Sequence, residues 1–298
     1  MKNKTLIGCL CAISCEVLFG LSYVFTKQAT ESAGTLELLG WRFFTAIIVM
    51  TILIITGIVK INLKGKKLKS LLLVALFSPV IYFIGETVGI ANTSSSESGV
   101  FLACIPVVSL IASSLILKKK PTKWQTIGIA VTLIGVLVTV FAAGASASMS
   151  VTGYLFLTIA VISYALYSVF VEKAVNFTEV EITYIQLCAG ALVFVFTMLI
   201  KGFVNDTTAE LIALPSTNIH FLIAIVYQGI GCSILAFFMS NAAIARIGVN
   251  RTSSFIGVST VVSILAGMLI LGEAFSLMQI VGAVIIIAGI YTANRTVG

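Results

Sequence analysis

Ten apolar runs, most of them about 20 residues long, follow one another along nearly the whole chain, separated by short segments that hold most of the charge. A run of that length can cross the hydrocarbon core of a bilayer as a helix. Inside lipid the backbone has no water to bond to, so a helix that satisfies its own amides is the form open to each run. The runs are read at 5–25, 36–59, 71–91, 98–117, 124–143, 153–171, 182–200, 220–243, 252–271 and 277–293. Composition agrees: mean hydropathy is +1.15 and 10% of residues are charged, against about 25% in soluble domains. A soluble globular fold is excluded. The expectation is an all-α integral membrane protein with ten transmembrane helices.

The first run follows Lys2 and Lys4, as a signal peptide would. Its apolar stretch is too long, it carries Glu16, and no small-residue cleavage site follows, so it reads as an uncleaved span. The net charge of +7 does not point to nucleic acid, because the basic residues lie between the runs and report topology. With the N-terminus inside, the cytoplasmic segments hold Lys2, Lys4, Lys60, Lys64, Lys66, Lys67, Lys69, Lys118, Lys119, Lys120, Lys123, Lys173, Arg246, Arg251 and Arg295. Lys27 and Lys201 fall outside, and Arg42 lies within a span. Such a bias places both termini in the cytoplasm. The cysteines, Cys9, Cys11, Cys15, Cys104, Cys188 and Cys232, all fall within spans and read as small apolar residues. Cys11 and Cys15 share a helix face, but with one histidine in the chain no metal site is expected.

The sequence is written twice. "LSYVFTKQA" returns as "LYSVFVEKA" at an offset of 145, and Gly8 matches Gly153 at the same offset. Val107, Val108, Ser109, Leu117, Gln125, Gly128 and Gly135 return as Val261, Val262, Ser263, Leu271, Gln279, Gly282 and Gly289 at an offset of 154. Each half, residues 1–147 and 148–298, then holds five spans. Five is odd, so the second half is upside down relative to the first. The loops agree: "KKKPTK" after the fourth run becomes "GEAFS" after the ninth, without a lysine. Inverted repeats typify secondary transporters, with the substrate site near the midplane between the halves.

The chain resembles the drug/metabolite transporter superfamily, in its ten-helix EamA group. The residues that carry the resemblance are "LFGLSYVFTK", "WRFFTA", Pro106, and "LGEAFSLMQIVGAVIIIAG" with Gly272, Glu273, Gln279 and Gly282. The resemblance implies two pseudo-symmetric five-helix halves, alternating access, and export of small metabolites, commonly amino acids or related compounds. It also implies that the Arg42 position often carries an arginine.

Candidate site residues follow from discontinuities and buried polarity. Pro79 falls opposite Ser233, and Pro106 opposite Thr260, in the two halves. Pro106 would free the carbonyl of Leu102. Glu16, Gly20 and Tyr23 share one helix face, and on the sixth span Tyr164 and Ser168 occupy the positions that match Phe19 and Tyr23. Tyr82, Glu86, Gln186, Tyr227, Gln228 and Asn241 complete the polar inventory. The expected substrate-binding set is Glu16, Tyr23, Tyr82, Pro106, Tyr164, Ser168, Tyr227 and Gln228. Arg42 and Glu86 sit at similar depth and are expected to form a structural or gating ion pair. Glu273 is expected to cap the last helix. Glu16 has no cation of its own. A charge at midbilayer costs roughly 2.5–3.5 kcal/mol, and burial favours the neutral acid, so Glu16 is the candidate proton-coupling residue.

The expected function is a multi-pass secondary exporter of the plasma or bacterial inner membrane. Its expected partners are a small-molecule substrate, membrane lipid and protons, with no nucleic acid and no cofactor. The lysine-rich loops suit anionic lipid headgroups. A nucleotide-sugar or lipid-linked-sugar carrier is the alternative, but it calls for intramembrane cations beyond Arg42. A membrane-embedded enzyme would need a nucleophile, metal or acid–base pair, and no aspartate lies within a span. No nucleotide-binding motif is present, and the longest non-spanning segment, 201–219, is too short for a signalling domain.

Overall fold

The computed structural model describes residues 2–30, 33–66, 68–93, 101–142, 150–272 and 276–295, with the side chains of Lys2, Tyr23, Lys27 and Leu271 excepted. Among the described residues nine helices are long and apolar enough to cross a membrane. They are α1 (Lys2–Thr30), α2 (Thr35–Ile55), α3 (Lys69–Ala91), α5 (Lys123–Ala142), α6 (Val151–Lys173), α7 (Glu179–Val204), α8 (Ile219–Ile247), α9 (Val249–Ile270) and α10 (Leu277–Asn294), and the shorter apolar α4 (Phe101–Ile116) completes the set. Each overlies one of the apolar runs. The expected start of the fourth run, Glu273 and the "EAF" of its loop lie outside the described residues. The segment 201–219 is not bare loop: it carries the end of α7 and a short helix, Thr208–Thr217, to which Trp41 donates at 3.0 Å through the Leu211 carbonyl.

Side chains set several helix starts. A helix leaves its first amides unpaired, and a hydroxyl with a Glu or Gln three residues on satisfies them reciprocally. Thr178 and Glu181 do so for α7, and Ser276 and Gln279 for α10. Thr122 and Gln125 make the same exchange at the start of α5. Gln125 and Gln279, which recur at the offset of 154, therefore recur as helix-start residues.

The helices cross between the halves of the chain. α1 packs on α8 and α9, whereas α6 packs on α3 and α4; α2 meets α7 and α8. α5 and α10 run antiparallel along each other. There Gly135 faces Gly282: a Cβ on either would stand 2.8 Å from the other's carbonyl oxygen. Two turns away Gly289 faces Gly128, with 2.7 Å between its would-be Cβ and that carbonyl. Small residues let backbones approach this closely in lipid, where dispersion replaces the hydrophobic effect as the attraction. Gly8 likewise meets Arg246 and Ile247 at the end of α8, and Gly153 meets Asn92 and Thr93 at the end of α3.

Three helices carry wide π turns, and α4 and α9 are interrupted by turns at Cys104 and at residues 254–256. α3 leaves helical geometry at Ser78 (φ −143°, ψ 117°), just before a cis Pro79. α8 opens into wide π turns over Tyr227–Ala236, and α7 does so over Ala191–Val195. The positions paired in sequence, Pro79 and Ser233, thus both lie in irregular stretches. α4 is discontinuous near Pro106 as well. The break comes earlier, at Cys104, and Pro106 stands in the first turn of the stretch Ile105–Ile116, where its missing amide hydrogen is not needed.

Candidate functional site

A buried polar cluster joins α1, α3, α6, α7 and α8. Glu16 is 6% exposed. Its carboxyl lies beside the Ser259 hydroxyl of α9, brought close because Gly20 lets α1 approach the backbone of Ser259 and the side chain of Val262. Ser259 already donates to the Ile256 carbonyl at 2.7 Å. Tyr82, Tyr164 and Tyr167 lie within electrostatic reach of the same carboxyl. Among the described residues no basic side chain pairs with it.

The tyrosines connect the two sides. The Tyr82 and Tyr164 rings meet edge-on with centroids 5.7 Å apart, as do Tyr164 and Tyr167 at 5.5 Å. Tyr82 donates to Glu86 Oε1 at 2.8 Å. Tyr167 donates to Asn241 Oδ1 at 2.8 Å, and Asn241 Nδ2 donates to Gln186 Oε1 at 2.8 Å and to Thr183 Oγ1 at 3.1 Å. Gln186 Nε2 in turn donates to the Ser78 carbonyl at 2.9 Å, so the non-helical bend of α3 is held by a side chain of α7. Buried networks of this kind fix geometry when every member is satisfied.

A second group surrounds Arg42, which is 6% exposed. Its Nε donates to Ser233 Oγ at 2.7 Å and its Nη1 lies 3.4 Å from Gln228 Oε1; Gln228 Nε2 donates to Thr26 Oγ1 at 2.7 Å. The guanidinium sits over the Phe83 ring, 4.8 Å from its centroid. Ser233 and Gln228 both belong to the wide-turned stretch of α8.

The expected site residues therefore divide. Glu16, Tyr82, Tyr164 and Glu86 come together. Gln228 joins Arg42 instead. Tyr227 stacks on Phe25 at 4.1 Å and donates to the Leu18 carbonyl at 2.9 Å, holding α8 against α1. Ser168 is buried and donates to the Tyr164 carbonyl of its own helix at 3.0 Å, so its hydroxyl is spent locally. The Tyr23 side chain lies outside the described residues. Arg42 and Glu86 lie near enough for their charges to interact, but they form no contact ion pair: Arg42 turns to Ser233 and Gln228, and Glu86 takes the Tyr82 hydroxyl. Tyr167 and Ser259 were not foreseen as members, and Ser233 was named only as the counterpart of Pro79. Tyr167 was legible only as one more aromatic in an apolar helix, although its i, i+3 spacing from Tyr164 places both on one face.

The EamA-like transporter family matches residues 6–141 and, a second time, residues 151–295. The chain belongs to the EamA-like transporter family. This EamA-like transporter is 31% identical to an uncharacterized transporter, YcxC, of Bacillus subtilis (strain 168), over 99% of this chain and 95% of that one. It is 23% identical to a probable amino-acid metabolite efflux pump of Salmonella typhimurium (strain LT2), over 94% and 92% of the two chains. A solved structure titled only as the crystal structure of a protein superposes with a TM-score of 0.77 at 17% identity, covering 99% of this chain and 97% of that one, which shows a shared fold. This EamA-like protein is a multi-pass transporter of the cell membrane, not an enzyme, and its substrate is a small molecule.

Proposed function

We propose that this transporter exports small metabolites, amino acids or related compounds, by alternating access between two inverted five-helix halves, with Glu16 carrying the coupling proton. Glu16 carries the proposal: a buried carboxyl beside the Ser259 hydroxyl, within reach of three tyrosines and without a basic partner among the described residues. A carboxyl kept in this setting can release its proton only when its surroundings change, and an alternating-access cycle changes them. The likeness to an amino-acid metabolite efflux pump supports the substrate class.

Several observations support the inverted halves. The family matches the chain twice. Gly8 meets the end of α8 at Arg246 and Ile247, and its counterpart Gly153 meets the end of α3 at Asn92 and Thr93, each residue 154 positions from its mate. The swap of neighbours, α1 with α8 and α9 but α6 with α3 and α4, follows the same relation. A pair of corresponding helices that run antiparallel, as α5 and α10 do, needs a twofold axis across them rather than along them. Such an axis lies in the membrane plane.

The test is internal pH in sealed proteoliposomes given pooled amino acids and related metabolites, with wild type against Glu16→Gln. Substrate-dependent proton movement that disappears in the variant, while counterflow persists, is the expected result. Proton movement unchanged by the substitution would remove Glu16 from the coupling role.

A further inference from the structure

Among the intramembrane charges, Arg42 is left incomplete. Its guanidinium presents five N–H donors in a rigid fork. One edge is used by Ser233, with Gln228 more distant at 3.4 Å. Nη2 is buried and has no hydrogen-bond partner among the described residues. Among the described residues no carboxylate lies within ion-pair distance, and Glu86, the acid whose charge Arg42 feels, is occupied by Tyr82. The cation is instead sandwiched beside aromatic faces, 4.8 Å from the Phe83 centroid and 5.6 Å from that of Phe43. Aromatic faces hold a cation in place without neutralising it. A buried charge without a contact counter-ion is costly, and adding an anion recovers that cost.

The supports of Arg42 also hold it still. Gly229 of α8 packs against the Arg42 carbonyl and Thr45, which brings the wide-turned stretch against α2. Ser233 takes Nε, which shares one edge of the guanidinium with Nη2, so the direction of Nη2 is set. The serine and the glutamine are neutral, so they orient the guanidinium without quenching it. A guanidinium held by neutral groups, with the N–H donors of Nη2 unspent, can take one oxygen of an anion.

We propose that Arg42 is the recognition residue for a carboxylate on the transported molecule, with Nη2 donating to one carboxylate oxygen, and that the substrates are small organic acids including amino acids. This reassigns Arg42 from a partner of Glu86 to a ligand-binding group. It rests on the transporter reading above and narrows its substrate class. Glu86, close enough to feel Arg42 but hydrogen-bonded to Tyr82, then balances the charge at a distance when the carboxylate is gone.

The experiment is counterflow in proteoliposomes with two matched radiolabelled sets. One contains L-leucine, L-threonine, L-glutamate, 4-methyl-2-oxopentanoate and succinate. The other contains leucinamide, threoninamide, isoamylamine, glucose and uridine. In wild type, uptake is expected only from the first set, and leucinamide should fail to compete with leucine. Loss of a charge-assisted hydrogen bond should lower uptake roughly 10–100-fold in Arg42→Gln, with partial retention in Arg42→Lys, which keeps the charge but not the fork. The wild-type comparison needs no variant, so a misfolded Arg42→Gln does not blunt the test. Transport of the carboxylate-free set as readily as of the acids would overturn the assignment while leaving the transporter reading intact. So would full uptake by a monodisperse Arg42→Gln. Movement of neither set would bring down the proposed metabolite export, and this inference with it.

Discussion

Gln186 illustrates what single side chains contribute here. It uses its amide nitrogen on the carbonyl that α3 frees at Ser78 and its oxygen on Asn241. Gln186→Leu would leave the buried Ser78 carbonyl without this partner, at a cost of about 1–3 kcal/mol, and would leave Asn241 Nδ2 with Thr183 alone. A lowered thermal midpoint in detergent is expected, together with slowed counterflow, since the bend of α3 carries Tyr82 and Glu86 on the turns just beyond it. Unchanged melting would mean the bend holds itself. Much of this residue chemistry was legible in the sequence, because a polar side chain in a twenty-residue apolar run has few innocent explanations; Glu16, Tyr82, Glu86, Gln186 and Asn241 stood out on that ground. The partners did not. Nothing in a linear pattern pairs Gln186 with a backbone carbonyl 108 positions away, and similar depth for Arg42 and Glu86 did not foretell that neutral neighbours would take both. Depth constrains one coordinate, and hydrogen bonding is decided by the other two.

At the level of helices, apolar length and spacing gave the ten elements well, and the glycine repeats gave the close α5–α10 approach its positions. Gly282→Leu should force these helices apart, because Gly135 O and Thr139 stand where the new side chain must go. Overpacking typically costs about 1–3 kcal/mol, and backbone in the way gives no room to relax. A drop in monodisperse yield and in melting temperature is expected. Ile134→Leu, on the exposed face of α5, should change neither. If both variants behaved alike, the close approach would not matter to assembly. The π turns in α7 were not foreseen: "ALVFV" carries neither proline nor glycine, and an extra residue per turn leaves no mark in composition. The place of Pro106 within its helix was open for a related reason. Proline forbids a helix interior but not a helix start, and sequence alone did not say which of the two it occupied.

For the whole molecule, the ends of the bundle carry the record of orientation. Lys66, Lys119 and Arg246 pair with Glu181, Glu172 and Glu179 at the side assigned to the cytoplasm, and Lys201 pairs with Glu37 at the other. In a cysteine-free background, Asp206→Cys should react with a membrane-impermeant maleimide in intact cells and Lys120→Cys only after lysis; both residues are exposed. The reverse pattern would turn the molecule over. The α5–α10 contact has one more implication. Gly135 meets Gly282 while Gly128 meets Gly289, so each surface greets a copy of itself, the isologous rule that governs a symmetric dimer. Docking of that kind depends on two complementary faces and not on the peptide that joins them. A chain opened between residues 142 and 151 and supplied as two co-expressed pieces should therefore find the same arrangement, as two subunits would.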